Sequence, residues 1–145
     1  MADQALTTVR LEIPPRRDHL ALVRLVVSGA VAIDRRLPER RVEDLRLAVT
    51  EACANAVEAQ VAAGVLLPLE ISIEVGDEAV VVTITDHAGG FDPGELPPLP
   101  AATDPGRLGH EHGLGVTLMR SHVDDVRFTP TADGTAVRLT MKAGR

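Results

Sequence analysis

The apolar residues of this chain change their period at Pro68, and no other feature restricts the fold as much. Before that point, apolar residues recur at helical spacing from Asp18 to about Arg36 and from Glu39 to about Ala63. After it, residues 69–75 (LEISIEV) alternate apolar with polar, and residues 79–85 (AVVVTIT) form a more continuous apolar strand. Gly76-Asp77-Glu78 between the two reads as a hairpin turn. Upstream of both helices, Val9, Leu11 and Ile13 share one face of residues 6–13 and Arg10 and Glu12 the other, which predicts a strand with one wet face ended by Pro14-Pro15. In the first helix Asp18 is the expected N-cap, and Leu22, Leu25, Val26, Gly29, Ala30 and Ile33 are the expected core-facing set. In the second, Val42, Leu45, Val49, Cys53, Ala56 and Gln60 track one side, and Gly64 is the expected C-cap. Helical spacing returns from about Gly115 to His122, followed by a strand pair around 123–129 and 135–142 that turns at Ala132-Asp133-Gly134. This order predicts a single α/β (α+β) domain over residues 1–145. Its expected form is a two-layer sandwich, with a mixed, largely antiparallel sheet covered by helices on one face.

Composition removes several function classes. The net charge of −6 lacks the basic footprint of a general nucleic-acid binder. Phe91 and Phe128 are the only aromatic residues, too few for a base-stacking platform. Lys142 is the only lysine, so a P-loop with its phosphate-gripping lysine is excluded. Cys53 is the sole cysteine and cannot support a disulfide scaffold or a cysteine-rich zinc site; at its seam position it reads as a small buried hydrophobe. The most apolar stretch, Leu20 to Ile33, is interrupted by Arg24 and is too short to cross a bilayer. No secretory signal is legible, so a cytoplasmic location without membrane attachment is the expectation.

Three positions carry candidate chemistry. Glu51 and Asn55 stand four residues apart on one helix face offset from the apolar seam, and Glu58 lies close to the same side. A carboxylate there can accept a proton, and a carboxamide oxygen can coordinate a hard cation. At the end of the 79–85 strand, Asp86 offers a fixed acceptor, and the glycines just after it allow a flat ligand to approach the main chain. Gly113 and Gly115 precede the expected third helix, where amide donors and the helix dipole favour phosphate. His110 and His112 read as loop residues rather than metal ligands. Between these positions, residues 91–105 hold five of the ten prolines and residues 76–115 eight of the twelve glycines. A loop of that length inside so small a domain points to a functional lid.

Taken in order, E-x-x-x-N, D-x-x-G-G-F-D, a lid, G-x-G before a helix and a final G-T resemble the Bergerat-fold, histidine-kinase-like ATPases. EACANAV, ITDHAGGFDP, GLGVTLMRSHVDDV and GTAVRLTM resemble, within that superfamily, the anti-sigma-factor serine kinases, from the first strand to Met141. The resemblance implies a Bergerat ATP-binding fold using ATP and Mg²⁺. It makes Glu51 the general base toward a serine hydroxyl of a partner protein and Asn55 the Mg²⁺ ligand. Asp86 would accept the adenine amino group, Gly90 give the base room, and Thr135 support that end of the pocket. Residues 94–112 would be the lid, with Gly113 and Gly115 meeting the phosphates. The implied partners are a sigma factor and an anti-sigma-factor antagonist protein, with no direct nucleic acid, and the implied assembly is a homodimer. Two departures stand out: Ala88 replaces the first glycine of the family's D-x-G-x-G, and Ala59 stands where relatives often place a histidine. Two other readings stay open. One is an ATP-binding regulatory module without kinase activity, which the retained Glu51 disfavours. The other is a small adaptor that binds no nucleotide and treats four ordered motifs as coincidence.

Overall fold

A computed structural model of the chain describes residues 6–33, 37–89 and 111–143. It contains β1 (Thr7–Ile13), a short 3₁₀ turn (Arg17–His19), α1 (Leu20–Ala32), α2 (Glu39–Ala63), β2 (Leu69–Val75), β3 (Ala79–Asp86), α3 (Glu111–His122), β4 (Asp125–Pro130) and β5 (Thr135–Lys142). The strands form one sheet in the order β1-β2-β3-β5-β4. Every described pairing is antiparallel, so the expected mixed sheet is purely antiparallel among the described residues. Because β5 returns between β3 and β4, its first residue, Thr135, lies opposite Asp86, the last residue of β3. That register places the start of one strand beside the end of another, and it builds one end of the candidate site.

The helices cover one face of the sheet. Alternation along β2 and β3 sends Leu69, Ile71, Ile73, Val75, Val80, Val82 and Ile84 into the core. There they meet Leu45, Ala48, Val49, Ala52, Cys53 and Ala56 of α2, with Leu139 and Met141 of β5 completing the layer. Each fully buried Val, Leu, Ile or Met side chain of this set contributes about 1.5–3 kcal/mol by leaving water. α2 is the central helix, in contact with α1, α3, β3 and β5. It ends as its sequence predicts: Gly64 takes the left-handed conformation (φ 70°), and the Val65 N–H bonds back to the Gln60 carbonyl at 3.0 Å.

α1 departs from expectation in both its start and its face. Asp18 does not cap it; its carboxylate instead bonds Arg16 (2.7 Å) and the His19 ring (2.8 Å), and the helix begins at Leu20 after the 3₁₀ turn. The buried side is Leu20, Val23, Val27, Ala30 and Val31, whereas Leu22, Leu25 and Ile33 are exposed. The sequence LALVRLVVSGAVA is apolar nearly all round, so its spacing fits two faces, and packing on α2 decides between them. The expected extension of this helix through residues 34–36 lies outside the described residues. α3 begins at Glu111, four residues before the expected start. Of the expected lid, residues 94–110 lie outside the described residues, while 111 and 112 belong to α3.

Candidate functional site

The exposed flank of α2 carries Glu51, Asn55 and Glu58, all half-buried, above the seam formed by Ala52 and Ala56. Four- and three-residue steps put the three side chains in one row. Gly115 of α3 faces that row. A Cβ at Gly115 would stand 3.1 Å from Asn55 Nδ2, 3.3 Å from Glu51 Oε2 and 3.4 Å from Asn55 Oδ1. The absent side chain therefore lets α3 cross close over both polar groups. Together with Arg17, Ala54 and Leu118 they line an open cleft of about 420 Å³. Arg17 donates to Glu58 Oε1 at 3.1 Å across the cleft rim. Among the described residues, no hydrogen bond occupies the Glu51 carboxylate or the Asn55 carboxamide. These are hard oxygen donors of the kind a divalent cation takes.

The glycines of α3 need a correction. Both were expected before the helix, yet Gly113 lies in its first turn and Gly115 in its second. The Gly113 amide belongs to the turn whose N–H groups have no intrahelical acceptor. The Gly115 amide falls within the i→i−4 ladder, so what Gly115 offers the cleft is space rather than a donor.

The second cluster lies beside the C-terminal end of α2, where Gln60 bonds the residue that follows β3. Asp86 is 8% exposed and pairs with Thr135, also 8% exposed. Its Oδ1 accepts the Ala88 N–H at 3.0 Å, while among the described residues Oδ2 has no partner. The Gly89 N–H then bonds the Asp133 carbonyl at 2.9 Å, locking the strand end to the β4–β5 turn. The left-handed backbone of this segment falls on Gly89 (φ 93°), which is where a glycine is needed; Ala88 stands beside it. Gly134 is required for a different reason. A Cβ there would overlap the Asp86 carbonyl oxygen and stand 2.8 Å from Oδ1. Gly90, expected to sit beside the base, lies outside the described residues.

Gln60 joins the two clusters, and nothing in the sequence reading gave it that role. It is fully buried at the C-terminal end of α2 and satisfied at both ends of its amide. Nε2 donates to the carbonyls of Val65 (3.2 Å) and Leu67 (2.7 Å), and Oε1 accepts the His87 N–H at 2.7 Å. Asn55 and Gln60 are five residues apart, about 7.5 Å along the helix axis, so one rigid element sets the spacing between the cleft and the strand end. The His87 ring reaches the opposite way, with Nδ1 2.9 Å from Asp133 Oδ2 and Nε2 2.8 Å from Glu70 Oε2. Burial alone would lower its pKa, but the carboxylates of Asp133 and Glu70 outweigh it and hold the imidazole above the ordinary histidine value. The sequence did carry one faint signal for Gln60, a carboxamide at a core position of an apolar seam.

Cys53 is fully buried, and burial pushes its thiol up to about 12, so it is inert as a nucleophile. Among the described residues no group of three His, Cys, Asp or Glu side chains could hold a metal ion, and His110 lies outside them. Nor is any described helix long and apolar enough to cross a membrane.

A helix-borne carboxylate and carboxamide stand on one side, and a buried strand-end aspartate on the other, of a sheet covered by helices. Residues 13–141 match the histidine kinase-like ATPase domain, and the chain belongs to that family. It is 28% identical over 144 residues to the serine-protein kinase RsbW of Bacillus pumilus, covering 95% of this chain and 87% of that protein. It is 29% identical to RsbW of Bacillus subtilis, over 91% of this chain and 83% of that protein. The RsbW of Bacillus velezensis is 31% identical, again over 91% and 83%. Among solved structures, a Mycobacterium tuberculosis protein with RsbU and RsbW domains shares the fold with a TM-score of 0.68 at 18% identity. The match covers 96% of this chain and 33% of that longer one.

Proposed function

We propose that this chain is an ATP-dependent protein serine kinase acting as an anti-sigma factor, which sequesters a sigma factor and phosphorylates a serine of its antagonist protein. The observation that carries this reading is the unengaged Glu51–Asn55 pair beneath Gly115, at a fixed distance along α2 from the buried Asp86–Thr135 pair. The family, and relatives named serine-protein kinase, support it.

In this reading Asp86 accepts the adenine amino group through its partnerless Oδ2, Thr135 flanks it, and Gly90 leaves room for the base. Asn55 holds Mg²⁺ through its carboxamide oxygen. Gly113 offers a first-turn amide to the phosphates, and Gly115 leaves them space. Bound at these residues, ATP with Mg²⁺ supplies the phosphoryl group to be transferred. Glu51 takes the proton from the incoming serine hydroxyl, and the half-buried cleft fixes the hydroxyl against it. No lysine is required, because positioning and charge placement do the catalytic work. The chain is a single domain spanning residues 1–145, and the part of the lid expected at residues 94–110 lies outside the described residues. The protein works as a cytoplasmic homodimer that contacts sigma factor and antagonist rather than nucleic acid or membrane.

Glu51→Gln separates this reading from a nucleotide-dependent binding module. The wild-type protein, given labelled Mg-ATP and the proteins that co-purify with it, is expected to leave phosphate on a partner serine. Glu51→Gln should bind ATP with unchanged affinity and transfer it roughly 10²–10⁴ times more slowly. Tight ATP binding with no phosphoserine in either protein would favour the binding module.

A further inference from the structure

His87 stands on the reverse side of the strand end from the candidate site. Asp86 continues the inward-facing set of β3, while the ring of His87, the next residue, reaches Glu70, which alternation along β2 puts on the uncovered face of the sheet. Both ring nitrogens of His87 meet carboxylates, so the ring donates at both positions only as an imidazolium. Its own backbone N–H is meanwhile held by the buried Gln60. One residue thus ties β2, β3, α2 and the β4–β5 turn together, immediately next to Asp86. That same turn supplies Gly134, whose backbone lies against Asp86, and Thr135, its cross-strand partner.

We propose that His87, clamped as a cation between Glu70 and Asp133, is a positioning residue that fixes Asp86 and Thr135 for the adenine ring, and that it makes nucleotide affinity dependent on pH. This rests on the reading that Asp86 contacts the base. The charged groups facing the ring are Glu70 from β2 and Asp133 from the turn. Glu12 of β1 stands directly opposite Glu70 and adds negative charge to that corner. α2 presents only the uncharged Gln60, and Asp86 on the same strand points to the other face. Arg10 of β1, a cation, lines the recess on that face together with Glu12 and Glu70.

The sign follows from which form is held. The cation is favoured in the fold, so the clamp is complete below the imidazole's raised pKa and loosens as pH rises through it. The test compares Mg-ATP dissociation constants of wild type and His87→Gln by calorimetry at about pH 6 and about pH 9. The ratio of the two constants is the readout, because titration of the nucleotide's own phosphates cancels in it. The variant should bind about tenfold more weakly at the lower pH and nearly as well as wild type at the higher one, in keeping with loss of charge-assisted bonds. Asp133→Asn keeps a hydrogen-bonding group but removes a charge, and should show the same dependence with a lower midpoint. It carries the test if His87→Gln does not fold. A ratio that stays constant with pH, whether one or ten, would overturn the proposal. Asp86→Asn distinguishes the two failures. If it binds Mg-ATP as tightly as wild type, the nucleotide-site reading fails and this proposal falls with it.

Discussion

The two ends of the candidate site are held by different physics. At the strand end, Asp86 is fixed by β-register with Thr135, by backbone contact with Gly134 and by hydrogen bonds through Ala88, Gly89 and Gln60. At the helix end, among the described residues, Glu51 and Asn55 are held by their place on α2 and the close approach of Gly115. The strand end is over-determined, which suits recognition of a rigid, flat group. Among the described residues, the helix end leaves its polar groups unengaged in an open cleft, which on the proposed reading would accommodate cation, phosphates and hydroxyl. On the proposed reading, the difference separates recognition from chemistry along one helix, with Gln60 tying the strand end to it.

The same small substitution at the two ends should break this symmetry most visibly. Gly134→Ala forces a Cβ onto the Asp86 backbone, which cannot yield cheaply. A loss of about 3 kcal/mol or more in unfolding free energy, with loss of Mg-ATP binding, is expected. Gly115→Ala meets only side-chain ends at 3.1–3.4 Å, which can give by a few tenths of an ångström. It should cost less than about 1 kcal/mol and weaken Mg-ATP binding without abolishing it. Equal destabilisation in denaturant titrations would contradict the contrast. Gln60→Ala comes next in size. It strands the His87 N–H and two carbonyls in the interior, for a cost of about 2–3 kcal/mol. Its signature is faster amide exchange at residues 86–89, with residues 51–55 unchanged.

The sequence made the sheet readable because its strands alternate with one wet face, as in Arg10 and Glu12 against Ile13 or Glu70 and Glu74 against Ile71 and Ile73. α2 was equally legible, with its Gly64 stop. Glu51, Asn55, Asp86 and Thr135 could be picked out as motif residues, and the fold places the first two on the middle of α2 and the last two side by side near its C-terminal end. Three things were not legible. The face of α1 was ambiguous because Leu22 and Leu25 are as apolar as Val23 and Val27, so only packing chooses. Gly134 read as an ordinary turn glycine because its need is created by Asp86, a residue distant in sequence. His87 gave no signal and Gln60 only the faint one of a carboxamide on an apolar seam, because their roles are long-range hydrogen bonds, which no local spacing records. The start of α3 was also misplaced, since glycines near a helix start read as loop even when, as here, they lie in its first two turns.

The central claim is that Asp86 recognises a nucleotide at the over-determined end. Thermal unfolding of wild type and Asp86→Asn with and without Mg-ATP tests it most directly. A ligand that binds only the folded state must stabilise it, by about 2.7 kcal/mol at a hundredfold excess over Kd. The account predicts a clear rise in the wild-type midpoint that Asp86→Asn loses while keeping its ligand-free stability within about 1 kcal/mol of wild type. No rise at millimolar Mg-ATP, or an equal rise in both proteins, would contradict it.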